Sequence, residues 1–194
     1  MFHELLRDDV LRIETQRLWL RWPETGDARA LQEIASHRAV AEMTASWPHP
    51  LPNGEAARRI CRIRQSNAEG RSVVMAIERK RRPAWFMGLV SLHDLGTGRA
   101  GVGYLAGAHF SGQGLMTEAL GALLTFVLPL SSSDIIEASV RTDNPASRRV
   151  LEKCGFTWTA SGPIDAPARA GKRLAVDHFR LKAGRVAWSR RIAA

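Results

Sequence analysis

The sequence predicts a mixed α/β fold built on one largely antiparallel sheet, with a single crossover between two parallel strands. Three observations carry that expectation. Stretches of alternating apolar and polar residues are interleaved with stretches of helical spacing in the order β-α-α-β-β-β-α-β-α-β-β. Three consecutive strand-like stretches in the middle of the chain are joined by short turns, so neighbours pair antiparallel. A glycine loop then opens a helix that separates two strands, and a connection of that kind brings the chain back parallel.

The elements follow in order. "LRIETQRLWLRW" (11–22) alternates and reads as a strand. "TGDARALQEIASHRAVAEM" (25–43) reads as a helix, with Asp27 as its cap and Leu31, Ile34 and Ala35 on one face. The prolines of "WPHPLPNG" (47–54) end it, because a proline ring has no N–H to donate. "EAARRICRIRQSNA" (55–68) is a second, basic helix. "RSVVMAIER" and "PAWFMGLVSLHDL" are two strands across a basic turn, "RAGVGYLAG" is a third, and "HFSGQGLMTEALG" (109–121) opens a helix running through Val127. "SDIIEASVRT" is a strand and "NPASRRVLEKCG" a helix, capped by Asn144, with Pro145 in its first turn and Gly155 past its end. "FTWTASGPI" and "KRLAVDHFRLK" close the sheet.

Bulk properties narrow the class. The 194 residues suit one domain, with its core at about 11–182, a short N-terminal extension and a basic C-terminal tail. The longest apolar stretch, "GALLTFVLPL", is about half of what a membrane span needs, and no apolar leader opens the chain, so a cytoplasmic protein that avoids membranes is expected. Two cysteines, Cys61 and Cys154, are too few for a disulfide framework or a zinc cage, and no metal is expected; Cys154 reads as a buried thiol. Twenty-eight Lys and Arg against nineteen Asp and Glu leave a net charge of +9, which suits a polyanionic ligand or an acidic partner. The charge is dispersed, only "RKRR" before Pro83 forms a run, and aromatic residues are not interleaved with basic ones, so nucleic acid is disfavoured.

The glycine loop reads either as an anion site or as a plain tight turn with no ligand. Gly112 and Gly114 let the backbone approach a phosphate without a Cβ in the way, and the helix that follows turns its free N–H groups toward it. A Walker loop would need Lys and Ser or Thr after the last glycine, where Leu115 and Met116 stand. A dinucleotide fingerprint would need glycine at Thr117. Neither pattern is present.

Taken together, "SGQGLMTEAL" and "NPASRRVLEKCGF" resemble the GCN5-related N-acetyltransferase (GNAT) family, and within it the ribosomal-protein N-terminal acetyltransferase (RimJ/RimL-like) branch. The resemblance extends over roughly residues 11 to 182, including "RLWLR", "SWPHPLPNGEA", "GLVSLHDL" and "GVGYL". It implies the GNAT fold, with acetyl-CoA in a cleft between two splayed parallel strands, "AGVGYLA" and "IIEASVRT". Backbone groups of Tyr104, Leu105 and Ala106 would meet the pantetheine, and Ser111, Gly112, Gln113, Gly114, Leu115, Met116 and Thr117 would cradle the pyrophosphate. Where this chain has Ser111 and Met116 the family favours Arg or Gln and Gly or Ala, so the backbone rather than the side chains would form the cradle.

By the same resemblance Asn144 contacts the cofactor or a bridging water as well as capping its helix. Many relatives protonate the leaving thiolate with a Tyr where this chain has Leu151; the ribosomal branch has a Ser at the position of Ser147, which becomes the candidate acid. The usual basic Glu falls at Gly101, so the base is open, with Glu118, Glu137, His109, His93 and Asp94 as candidates and Glu118 equally readable as structural. The expected reaction is direct transfer of an acetyl group to a primary amine, with a protein or peptide N-terminus favoured. A small-molecule amine, or a non-catalytic acyl-CoA or RNA-binding module, is the alternative. Monomer and homodimer are left open.

Overall fold

The computed structural model describes residues 2–80 and 85–185. The turn expected across "KRRP" and the basic tail lie largely outside the described residues. Eight strands form one sheet: β1 (Arg12–Glu14), β2 (Leu18–Arg21), β3 (Ser72–Arg79), β4 (Phe86–Gly96), β5 (Arg99–Ala106), β6 (Ile135–Arg141), β7 (Thr157–Asp165) and β8 (Arg173–Lys182). The spatial order is β1-β2-β3-β4-β5-β6-β8-β7. Only β5 and β6 pair parallel, across the crossover through α4 (Leu115–Val127). The mixed, mostly antiparallel α/β fold expected from the sequence is present.

Helices cover both faces. α1 (Ala28–Ser36) and α3 (Glu55–Ala68) bury Leu31, Ile34, Ala56 and Ile60 against Val74, Ala76, Leu89 and Leu105. α4 and α5 (Pro145–Lys153) bury Leu115, Leu120, Leu124 and Leu151 against Val73, Met75, Ile77, Val90 and Leu92. Strand residues that alternate in sequence thus divide between the two cores. Phe2 and Leu6, from the expected N-terminal extension, lie in the α4 core. Among the described residues no helix is long and apolar enough to cross a membrane.

Two expected elements break in two. The alternation over 11–22 is interrupted at Thr15, whose hydroxyl accepts the Leu18 N–H at 2.9 Å and turns β1 into the antiparallel β2. The helix read over 25–43 stops at His37, whose extended ψ of 122° begins a separate short helix, α2 (Arg38–Ala41). Asp27 does stand at the head of α1, but its carboxylate turns back to accept the Glu24 N–H at 2.8 Å and both terminal nitrogens of Arg21 at 2.8 Å.

Two devices set the geometry that matters for the site. The first is Gly88, with φ of 155°. A Cβ there would sit 2.0 Å from the carbonyl oxygen of Leu105, so only glycine lets the end of β5 lie this close to β4. Around it the alternation of β4 shifts: Met87 faces the α4 core while Leu89, two residues on, faces α1 and α3. The second device is Glu118, in the first turn of α4. It accepts from the Thr15 hydroxyl at 2.6 Å, the Arg17 N–H at 2.8 Å and Arg17 Nε at 2.6 Å. These bonds tie the β1–β2 turn to the start of α4. Burial pushes the Glu118 carboxyl up, but the donors of Thr15 and Arg17 outweigh it and hold the group below the usual carboxylate range.

Glu118→Gln is therefore expected to lower stability at pH 7 by about 1.5–3 kcal/mol, the range for bonds to a charged acceptor. A carboxyl depressed in the folded state contributes stability above its unfolded pKa and loses it as the pH falls through the folded one. Urea unfolding should accordingly give a difference between the two proteins that is constant from about pH 5 upward and shrinks toward pH 3. A pH-independent difference would contradict the clamp.

Candidate functional site

The site begins where two strands separate. β5 and β6 pair at Arg99 with Ile135, Ala100 with Ile136 and Gly101 with Glu137, and no further. Both continue, β5 to Ala106 along β4 and β6 to Arg141 along β8. From Val102 onward β5 thus has no strand partner on its β6 side, and backbone N–H and C=O groups there need a ligand or water. At the apex Glu137 accepts from Arg99 of β5 at 3.4 Å and from Arg180 of β8 at 3.0 Å, bridging three strands just before the fork opens.

Two cavities meet in the fork. One, of about 380 Å³, lies on the α4–α5 side and is lined by Tyr104, Leu105, Ala106, Ser111, Gly112, Gly114, Leu115, Met116, Thr117, Asn144 and Ser147, among others. The other, of about 600 Å³, opens on the α3 side, where Trp47, Arg59, Arg62, Ser91, His93 and Arg141 help to line it. Tyr104, Leu105, Asn144 and Ser147 line both, so the two are halves of one passage through the sheet.

The glycine loop is built as a cradle. Gly112 and Gly114 take φ of 77° and 72°, a backbone region that favours glycine, and a Cβ on Gly112 would meet nothing within 4 Å. Glu118 donates its N–H to the Gly114 carbonyl at 3.1 Å, so the N–H groups of Leu115 to Thr117 precede the first bond of the helix ladder. An anion at that end of α4 is favoured by these donors and by the helix dipole.

At the junction stands a hydroxyl pair. Tyr104, the chain's single tyrosine, lies 2.7 Å from Ser147 Oγ and 3.1 Å from the Ser147 carbonyl. Burial raises the Tyr104 phenol well above its ordinary value, so it keeps its proton and acts as a donor. The phenol donates to the Ser147 carbonyl, and in the shorter contact either hydroxyl can be the donor; with the phenol proton on Ser147 Oγ instead, the serine hydroxyl is free to donate into the fork. Asn144 caps α5 by accepting the Ser147 N–H at 3.0 Å, which fixes the serine in the first turn. The sequence pattern assigns Tyr104 a backbone role only. Its phenol escapes such a reading because the strand and helix meet only in three dimensions.

A second pair lies on the α3 side. His93 Nε2 is 2.9 Å from Ser91 Oγ, which donates to the Gly103 carbonyl at 2.9 Å. With the serine proton so used, Nε2–H donates to Ser91 and Nδ1 is left as a lone-pair acceptor. A Cβ on Gly103 would come within 2.9 Å of Ser91 Oγ, so the glycine makes room for the pair. In the β4–β5 register His93 lies directly opposite Gly101. Opposed residues share a face, so the imidazole stands on the side that a residue-101 side chain would occupy. Burial lowers the His93 pKa, and the ring is neutral at pH 7. Among the described residues, the ionisable side chains lining the passage are three arginines, Tyr104 and His93, with no carboxylate.

Other candidates stand elsewhere. Neither Gln113 nor Glu118 lines the passage. Gln113 turns its amide back to donate to the His109 carbonyl at 3.0 Å, and its own carbonyl accepts from Arg17. Glu118 spends both oxygens on the β1–β2 turn. Glu137 is bound at the apex, Asp94 accepts the Gly96 N–H, and His109 stacks with Trp85. Cys154 is buried, its thiol pushed up to about 12 by desolvation.

Comparison with known proteins gives a consistent picture. The profile of the acetyltransferase (GNAT) domain matches residues 17–157. RimL, a ribosomal L7/L12 alpha-N-protein acetyltransferase solved with coenzyme A, is 21% identical with a TM-score of 0.75, over 89% of this chain and 98% of that one. The microcin C7 self-immunity acetyltransferase MccE, solved with acetyl-CoA and AMP, is 19% identical at 0.73, over 87% and 93%. Spermidine N-acetyltransferase from Vibrio cholerae, solved with CoA and spermine, is 16% identical at 0.72, over 87% and 97%. No curated protein gives a significant sequence match. The solved structures share the fold, and the profile covers the sheet from the β1–β2 turn through the fork and α5: the chain belongs to the GNAT acetyltransferases, enzymes that draw their acetyl group from acetyl-CoA.

Proposed function

We propose that this enzyme acetylates the α-amine of a protein or peptide N-terminus, as the ribosomal-protein branch does. One observation carries the reading: among the described residues the passage is lined by no carboxylate, and its one base is a histidine whose pKa burial lowers. With reference pKa values near 7.8 and 10.4, about 14% of an α-amine is neutral at pH 7 against about 0.04% of a lysine side chain. That gap is roughly 3.5 kcal/mol, which a site with a weak base is poorly equipped to supply for lysine. Arg59, Arg62 and Arg141 also line this half, and positive neighbours favour the neutral form of an amine. The proposal includes a single catalytic domain, in keeping with one continuous sheet, and a cytoplasmic setting.

The donor fits the passage on structural grounds. The open backbone edge of β5 at Val102 to Ala106 matches the amides of a pantetheine arm, and the positive-φ loop at Gly112 and Gly114 matches a pyrophosphate. Ser111, Leu115, Met116 and Thr117 line the same half, while Gln113 does not. Acetyl-CoA supplies an activated thioester. Each residue then has a defined task. A backbone N–H of β5 in the fork polarises the acyl carbonyl. His93, steadied by Ser91, takes a proton from the amine nitrogen as the N–C bond forms. Ser147 hands a proton to the sulfur as the C–S bond breaks, with the Tyr104 phenol behind it. Asn144 holds Ser147 in place, and Glu118 holds the start of α4.

Two measurements test these assignments. Ser147→Ala should lower kcat by about 10- to 100-fold, less than full general-acid catalysis because water can substitute, while acetyl-CoA affinity changes little. An unchanged kcat in a reaction limited by chemistry would remove the assignment. For the base and the acceptor, a peptide with a free N-terminus should outcompete the same peptide blocked at its N-terminus and carrying Lys. With the free peptide saturating, kcat of the wild type should reach its plateau at a lower pH than that of His93→Gln, whose profile should follow the acceptor's own pKa, about 7.8. Coincident profiles would exclude His93, and preference for the blocked Lys peptide would exclude the α-amine.

A further inference from the structure

The α3 half of the passage is cationic, and its charges are unevenly matched. Arg59 and Arg62 stand one turn apart on α3, and Arg141 faces them from the end of β6. Arg141 is matched: its Nε donates to Asp143 at 2.8 Å and Nη1 to the Glu42 carbonyl at 3.0 Å. The α3 pair is not. A single carboxylate, Glu55, accepts from Arg58 at 3.1 Å, Arg59 at 3.0 Å and Arg62 at 2.6 Å. Burial raises its pKa, but the three guanidinium groups outweigh that and hold it at about 2. Three positive charges are thus answered by one fixed negative charge. Arg59 is further held with its guanidinium 4.1 Å from the Trp47 ring centroid. Arg62 lines the cavity with a side chain that is 63% exposed and uses only Nη2 on Glu55, so its other donors have no hydrogen-bond partner among the described residues.

We infer that the acceptor carries a carboxylate close to the amine it presents. The inference rests on the α-amine reading and names the kind of N-terminus: one followed by acidic residues. An extended peptide advances about 3.3 Å per residue, so side chains two or three positions from the amine reach the mouth of a passage of this size. A pair of guanidinium groups one turn apart suits carboxylates there, and binding them offsets the surplus charge that Glu55 leaves. An acceptor with several ammonium groups meets the opposite: like charges and no carboxylate among the described lining residues to receive them. The same chemistry could be offered by a free acidic amino acid, and the experiment separates that source from a peptide.

The test is a set of peptides beginning Ser-Glu-Asp, Ser-Gln-Asn or Ser-Lys-Lys and otherwise identical, with free glutamate and spermidine alongside, assayed at low and high salt. The acidic peptide should exceed the neutral one by about tenfold in kcat/KM at low salt, with the ratio shrinking as salt rises. Arg62→Glu should reverse the ranking of acidic and basic peptides, and Arg62→Lys should restore most of it. Arg62 is exposed, and an unchanged melting temperature would show that the reversal is not a folding effect. Acidic and neutral peptides acetylated equally would overturn the inference and leave the α-amine reading standing, as would a ranking unmoved by Arg62→Glu. Spermidine acetylated with no peptide accepted would overturn both. Glutamate acetylated in preference to the acidic peptide would retain the anionic acceptor and reject the peptide.

Discussion

A β-sheet cannot leave a strand's hydrogen-bonding groups unpaired in its middle without something to occupy them, and in this fold such a gap is built in. β5 and β6 pair for three residues and then part. The groups exposed on β5 are obligatory donors and acceptors, so the gap is a place where an extended amide-bearing molecule can stand in for a strand. Much of the local sequence serves that gap. Gly88 lets the end of β5 lie against β4, Gly103 admits Ser91 and His93, and the Glu137 bridge closes the strands below the apex. Exposed ion pairs of that kind are each worth only about 0–1 kcal/mol, so the bridge positions the strands more than it stabilises them.

The parting also makes the sheet two-sided in function. On the α4–α5 side the lining combines apolar side chains such as Ile77, Met87 and Phe110 with hydroxyls and the glycine loop at the start of α4. On the α3 side three arginines and a neutral histidine stand among apolar side chains such as Trp47 and Leu89. Tyr104 and Ser147 stand at the border, within 2.7 Å of each other. A donor and an acceptor entering from opposite sides would meet there without competing for the same surface, and each side can vary without disturbing the other. The spread of acceptors named among solved relatives, from a ribosomal protein to spermidine, is compatible with such a division.

How much of this is legible in the sequence depends on the range of the interaction. The Asn144 cap, Pro145 and the Gly155 turn obey local rules and appear where the sequence puts them. So does the glycine loop, whose positive-φ residues are the two that the pattern singles out. The break at His37 and the turn at Thr15 are hidden because apolar periodicity runs through both; one backbone angle and one hydroxyl decide them. Glu118 is ambiguous in sequence because its partner Arg17 lies 101 positions away. His93 emerges only as one of several bases, since its place opposite Gly101 is a fact of strand register. The phenol of Tyr104 is hidden for the same reason, its partner being 43 residues on. A signal is nonetheless present: a lone tyrosine amid the glycines of β5.

The central claim is that the open edge of β5 is the donor's binding surface. Amide hydrogen exchange, followed residue by residue with and without acetyl-CoA, tests it directly. Amides of β5 between Val102 and Ala106 that face the fork should exchange rapidly in the free protein, because no strand partner protects them. They should become strongly protected when acetyl-CoA binds, together with those of Gly112 to Thr117, while Arg99 to Gly101, already paired with β6, change little. Protection of the glycine loop with no change between Val102 and Ala106 would contradict the claim, as would fork amides already protected in the free protein.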